Sequence, residues 1–230
     1  VAEAMTTEIG VVLDEALFLS RAVPRAVRAP WFGSGSLALA RKRLRVTHEP
    51  YGVVAVISPW NYPLMLACAR LLPALATGNA VVFKPSELTP STGELTRQLL
   101  IDAGIPADVV GLVQGDGITG AALAAAPVDK VFFTGSVASG RAVALSCASR
   151  LVPCGLELGG SDAAIVLADA NPAHAASGLA WGRFSNAGQT CIAPKRVFVE
   201  AAVYEPFVRE LTRVVLQLHA GAGADEATDV

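Results

Sequence analysis

From Val53 to Ser149 the chain alternates short β-branched runs with segments of helical spacing, and no other feature constrains its fold as tightly. Val53 to Ile57 is a continuous apolar run, the pattern of a strand buried on both faces. Pro63 to Ala76 reads as a helix closed by Gly78, and Ala80 to Phe83 as a strand. Ser91 to Ala103 reads as a helix. Ser91 and Glu94 stand in capping-box spacing, and Gly104 lies just past its end. Val109 to Val113 and Lys130 to Thr134 follow as strands, with helices over Ile118 to Ala126 and Val137 to Ser149. Strands alternating with helices predict an α/β fold, a Rossmann-like parallel sheet with right-handed crossovers.

The flanks are less regular. Ala4 to Arg21 places Met5, Ile9, Val12, Leu13 and Ala16 at helical spacing, with Pro24 ending the pattern. Ala29 to Ser36 is a Pro/Gly/Ser-rich connector, and Arg41 to Thr47 is an edge strand or hairpin arm. The alternation restarts near Glu157. Ala163 to Leu167 and Lys195 to Glu200 read as strands, and Asn171-Pro172 opens a helix reaching about Asn186. Val203 to His219 is amphipathic, with Tyr204, Phe207, Leu211, Val214, Val215 and Leu218 on one face. The expected domain boundary lies near Glu157, dividing 1–156 from 157–230.

Composition excludes several function classes. Hydrophobic residues make up 53% and charged residues 17% of the 230, enough for a sizeable core. A net charge of −2 without a basic stripe argues against a nucleic-acid partner. Apolar stretches such as Pro63 to Ala69 are far short of the ~20 residues that span a bilayer. The 4 cysteines lack Cys-x-x-Cys spacing and the 3 histidines are scattered, so no metal site is expected. Free thiols fit a reducing, cytoplasmic setting.

Some residues invite chemistry. Cys191 follows the small, polar segment Ser185-Asn186-Ala187-Gly188-Gln189-Thr190. A thiolate there would be a nucleophile, although cysteines are most often simply buried. Glu157, between Leu156 and Leu158 at an expected strand end, would be partly desolvated, with its pKa raised toward that of a general base. Asn61 reads either as a helix N-cap before Tyr62-Pro63 or as an amide donor to an oxyanion. Lys84-Pro85-Ser86-Glu87 follows a buried strand, where doubly wound sheets bind ligands. Gly135-Ser136-Val137-Ala138-Ser139-Gly140 joins a strand to a helix N-terminus suited to phosphate.

In this order and at these separations, Pro59-Trp60-Asn61, Lys84-Pro85-Ser86-Glu87, Phe133-Thr134-Gly135-Ser136, Leu156-Glu157-Leu158-Gly159-Gly160 and the Cys191 segment resemble the aldehyde dehydrogenase family. The resemblance implies an NAD(P)-binding domain over 1–156, a partial α/β catalytic domain over 157–230, and NAD(P)-dependent oxidation of an aldehyde to a carboxylic acid through a cysteine thioester. It makes Cys191 the nucleophile, Glu157 the base and Asn61 the oxyanion donor. It sets Ser58, Trp60, Lys84, Ser86, Glu87, Gly135, Ser136 and Gly140 against the cofactor. Glu87 would repel a 2′-phosphate, favouring NAD, with NADP as the alternative. A homodimer or homotetramer joined through a β-arm is implied. Two departures stand out. Ser161-Asp162 replaces the lysine many members carry after Glu-Leu-Gly-Gly. The chain is also shorter than family members, which reads as a fragment lacking N-terminal and C-terminal parts, and a catalytically incompetent fragment with residual cofactor binding or a non-enzymatic interaction role is the alternative reading.

Overall fold

A computed structural model describes residues 3–225 and 227–230. The chain divides into two compact units, Val1–Glu157 and Leu158–Val230.

The N-terminal unit opens with a π-helical turn, Ala4–Ile9, that runs into α1, Gly10–Ala26. Pro24 does not end α1. In the last turn its missing N–H costs one bond, while Val27 N still donates to Val23 O at 3.0 Å. The expected connector contains a strand, β1 (Trp31–Gly33), antiparallel to β2 (Arg43–Arg45). The guanidinium groups of Arg43 and Arg45 lie 5.8 and 5.5 Å from the Trp31 ring centroid, which holds this short exposed hairpin by cation–π attraction.

Five strands form the central sheet: β3 (Val53–Ile57), β4 (Ala80–Lys84), β5 (Val110–Leu112), β6 (Lys130–Gly135) and β7 (Cys154–Leu158). Their order is β5-β4-β3-β6-β7, and β3 pairs in parallel with β4 and β6, as does β4 with β5. The chain therefore winds outward from β3 to β5, then reverses to β6, leaving a switch point between β3 and β6. Doubly wound sheets bind ligands outside the carboxyl ends of the strands at that point. Four helices make the crossovers: α2 (Met65–Ala76), α3 (Pro90–Asp102), α4 (Gly117–Ala125) and α5 (Val137–Ala148). Val54, Val56, Ala67, Leu71, Ala74, Val81, Phe83, Leu100 and Val110 make the core under one sheet face.

Two helix starts differ from the sequence expectation. The Ser91 capping box is absent: Pro90 takes the first helical position, Thr89 precedes it, and no side chain caps α3. Proline's fixed φ is preorganised for that position, so the helix starts before Ser91 and leaves it inside the first turn. α2 starts at Met65, two residues after Pro63, for a reason given below.

In the C-terminal unit β8 (Asp162–Val166) pairs in parallel with β9 (Pro194–Val199), connected by α6 (Pro172–Phe184) and the turn Ser185–Gly188. Asn171 Oδ1 accepts from His174 N at 3.1 Å and caps α6. α7 spans Tyr204–Val215 and inserts Phe207 against Val166, Ala176 and Val203. Two expectations for this helix fail. Tyr204 is exposed rather than on the buried face, and the helix stops before His219, whose N–H is taken by the Asp229 carboxylate at 3.0 Å.

Candidate active site

The ends of β3, β4 and β6 carry most of the cofactor-contact residues expected from sequence. At β3, Ser58 N donates to Lys84 O at 3.1 Å, tying the first two exits together. Ser58 is only 5% exposed, and its Oγ has no partner. A buried hydroxyl without a partner is costly, and a ligand group at the strand end would relieve that cost. Trp60, two residues on, is exposed, and Asn61 is half-buried.

At β4, Lys84 is 4% exposed. Its Nζ donates to Pro85 O at 3.0 Å and pairs with Glu87 Oε2 at 3.4 Å. The Glu87 carboxyl is exposed and held below the usual range, first by its own backbone N–H and then by the Lys84 ammonium. Ser86 is buried, and its Oγ accepts from Leu88 N at 3.3 Å, stiffening the turn. At β6, Ser136 Oγ accepts from Ser139 N at 3.1 Å and caps α5. Gly135 is glycine for a packing reason: a Cβ would lie 2.6 Å from Phe133 Cζ. Gly140 is buried and its N–H donates to Ser136 O at 2.9 Å.

Glu157 departs from expectation. It is exposed rather than partly desolvated, because its end of β7 is open to solvent. Nor is it isolated: Oε1 pairs with Arg70 Nη2 at 2.9 Å. Arg70 lies over the Phe132 ring, 5.6 Å from its centroid, which fixes the guanidinium. The N-cap reading of Asn61 also fails, since α2 begins four residues later. Glu8 Oε2 instead accepts from Leu64 N at 2.7 Å and Met65 N at 3.3 Å.

The C-terminal unit presents the thiol. Cys191 is exposed and not in a disulfide. The Gly159-Gly160 turn meets it: a Cβ on Gly160 would lie 2.5 Å from Cys191 O, so only glycine fits there. Lys195 Nζ donates to Gly160 O at 2.8 Å and Arg196 Nη2 to Ser161 O at 2.7 Å. Before the thiol, Asn186, Ala187 and Gly188 all take left-handed backbone, with φ of 51°, 54° and 72°. Such a run at two non-glycine residues stores strain of about 1–2 kcal/mol each. Arg183 closes over it, Nη1 donating to Gly188 O at 3.4 Å.

The other thiols are different. Cys68 is pushed up to about 12 by burial and by the nearby Glu15 and Glu8 carboxylates. Cys147 is buried and also raised, by burial first and then by the Cys154 thiol. Among the described residues Cys191 is therefore the exposed thiol, with Cys154 half-buried. Sequence reasoning missed Glu8, Arg70 and Arg183, none of which carries a local signal.

The sequence pattern of the aldehyde dehydrogenase family matches residues 2–230. The chain belongs to the aldehyde dehydrogenase family. It is 42% identical to the 4,4'-diapolycopene aldehyde oxidase of Methylomonas sp. over 219 residues, covering 95% of this chain and 41% of that protein. It superposes on the NAD-dependent aldehyde dehydrogenase of Sinorhizobium meliloti with a TM-score of 0.84 at 35% identity, covering 90% of this chain and 41% of that one. PnpE, solved in complex with nicotinamide adenine dinucleotide, matches with a TM-score of 0.78 at 40% identity, covering 81% of this chain and 39% of that one. The chain thus spans less than half the length of these relatives. Among the described residues no helix is long and apolar enough to cross a membrane.

Proposed function

We propose that this aldehyde dehydrogenase chain carries the nucleophile, base and cofactor-binding edge for oxidising an aldehyde to a carboxylic acid. The observation that carries the reading is Cys191, an exposed thiol that follows the strained Asn186–Gly188 segment and has its carbonyl against Gly160, in a chain whose Cys68 and Cys147 are buried. Its sulfur adds to the aldehyde carbon, and the Asn61 amide donates to the oxygen that becomes negative. Loss of two electrons from that carbon leaves a thioester on Cys191. Glu157 takes a proton from the water that hydrolyses it, releasing the acid and the thiol. Arg70 holds Oε1, so Oε2 is the oxygen offered to water.

A nicotinamide dinucleotide, when bound, supplies the hydride acceptor. The residues present fit it. The orphaned Ser58 hydroxyl, the Lys84 ammonium and the Ser136-capped N-terminus of α5 stand at neighbouring strand ends. Trp60, Ser86, Gly135 and Gly140 complete the set. Glu87 places negative charge beside Lys84, which disfavours a 2′-phosphate and makes NAD the favoured form over NADP. The exposed Trp31, Phe32 and Leu44 of the β1–β2 hairpin are the proposed contact for a dimer or tetramer.

A second reading, cofactor binding without turnover, is favoured by the apolar surface of the C-terminal unit, where Ile165 is 71% and Phe198 55% exposed. NADH formation from a panel of aromatic, short aliphatic and long polyene aldehydes, with Cys191→Ala as control, separates the two. Turnover that vanishes in Cys191→Ala supports the dehydrogenase. NAD binding with no turnover from folded protein supports the second reading.

A further inference from the structure

Helices leave their first N–H groups without intrahelical partners, and a polar residue just before the helix normally serves them. α2 has no such residue, because the position before Met65 is Leu64. The service comes from Glu8, 56 residues earlier, whose single carboxylate oxygen accepts from both Leu64 N and Met65 N. An anion at this end also complements the helix dipole. Glu8 sits in the π-helical turn Ala4–Ile9, an element often found at functional positions. The turn runs directly into α1, which packs on α2.

The consequence falls on the segment between β3 and α2. One end is pinned where Ser58 N donates to Lys84 O. The other is pinned where Glu8 grips Leu64 and Met65. Between them Tyr62 is buried, and its carbonyl accepts from Leu66 N at 3.0 Å. Asn61 lies inside this doubly anchored turn. We propose that Glu8 is a positioning residue for Asn61: its carboxylate fixes the turn from which the Asn61 amide reaches a developing oxyanion. This rests on the proposed role of Asn61 as the oxyanion donor. The N-terminal helix thereby contributes to the chemistry without touching substrate.

The test uses p-nitrophenyl acetate and needs no cofactor. The Cys191 thiolate forms a bond to the acyl carbon, the ester C–O bond breaks, and p-nitrophenolate leaves with the electron pair. The burst rate is measured for the unsubstituted chain, Glu8→Ala, Glu8→Gln, Asn61→Ala and the Glu8→Ala/Asn61→Ala double variant, with Cys191→Ala as blank. Amide exchange at Leu64 and Met65 is read in parallel. Glu8→Ala is expected to slow acylation about fivefold, the loss of one cap, and to speed exchange at both amides. Glu8→Gln, which keeps an acceptor oxygen, recovers most of the rate. In the Asn61→Ala background Glu8→Ala adds nothing further, because the group it positions is gone. Equal slowing by Glu8→Ala in both backgrounds would mean a merely structural role and overturn the proposal. Unchanged exchange at Leu64 and Met65 would also overturn it. If Asn61→Ala itself leaves acylation unchanged, the donor role fails and the inference falls with it, a result distinguishable from the first two.

Discussion

Two β-branched strands in this chain meet opposite fates. In the N-terminal unit, Val54, Ala55 and Val56 of β3 are at most 1% exposed, with β4 and β6 on either side. In the C-terminal unit, Ile165 of β8 is 71% exposed, and among the described residues β8 has only β9 beside it. Both runs form strands, so local pattern sets the conformation, while neighbouring strands and covering helices set the burial. The difference extends to the chemistry. The proposed cofactor residues stand on the ends of a packed five-stranded sheet. The proposed nucleophile, Cys191, follows the strained Asn186–Gly188 segment in a unit whose core cluster includes Val166, Ala176, Val203 and Phe207.

The comparison breaks most visibly in the two cores. Phe207→Ala should cost about 3–5 kcal/mol and Leu71→Ala about 2–5 kcal/mol. The smaller cluster has less to lose, so Phe207→Ala should open the C-terminal unit while the sheet amides of β3 and β4 stay protected in hydrogen exchange. Simultaneous loss of protection in both units would contradict this expectation.

A pH effect comes next, confined to the N-terminal unit. Cys68 has its pKa raised from 9.0 to about 12 in the fold. Above pH 9 the unfolded chain releases this proton first, so stability present below pH 9 is lost as pH rises toward 12, by up to about 4 kcal/mol. Urea midpoints across that window should fall less steeply in Cys68→Ala. Parallel curves would remove Cys68 as the cause.

Smaller effects sharpen the picture of the turn before Cys191. Gly188→Ala should destabilise by about 1–2 kcal/mol, since a Cβ would lie 2.6 Å from Arg183 Nη1 at a φ of 72°. Ala187→Gly should instead stabilise by up to about 1 kcal/mol while letting the thiol wander. Thermal melts with iodoacetamide rates at Cys191 would show both. Finally, Asn171→Ala should cost about 1 kcal/mol, whereas Thr89→Ala should cost little because Thr89 makes no cap bond. Equal losses would mean the two helix starts do not differ as described.

Much of this architecture is legible in the chain itself. Val53–Ile57 reads correctly because a buried parallel strand must be apolar along its whole length, and Asn171-Pro172 because cap and first-turn chemistry are local. Ser91 misleads because proline geometry at Pro90 outweighs a capping pair. Trp31–Gly33 is too short to announce itself and exists only through its pairing with Arg43–Arg45. In the site, the positions of Lys84, Glu87 and Ser136 follow from strand ends. The Glu8 cap and the Arg70–Glu157 pair join residues 56 and 87 positions apart, and such contacts leave no periodic trace.

The central claim is that Cys191 is the sulfur that takes the aldehyde carbon. The most direct test incubates Glu157→Gln protein with an aldehyde and NAD, quenches in acid, and locates the acyl adduct by peptide mass spectrometry. The account predicts a thioester on the peptide containing Cys191, accumulating in Glu157→Gln and absent from Cys191→Ala. An adduct on Cys68, Cys147 or Cys154, or undiminished NADH formation by Cys191→Ala, would contradict it.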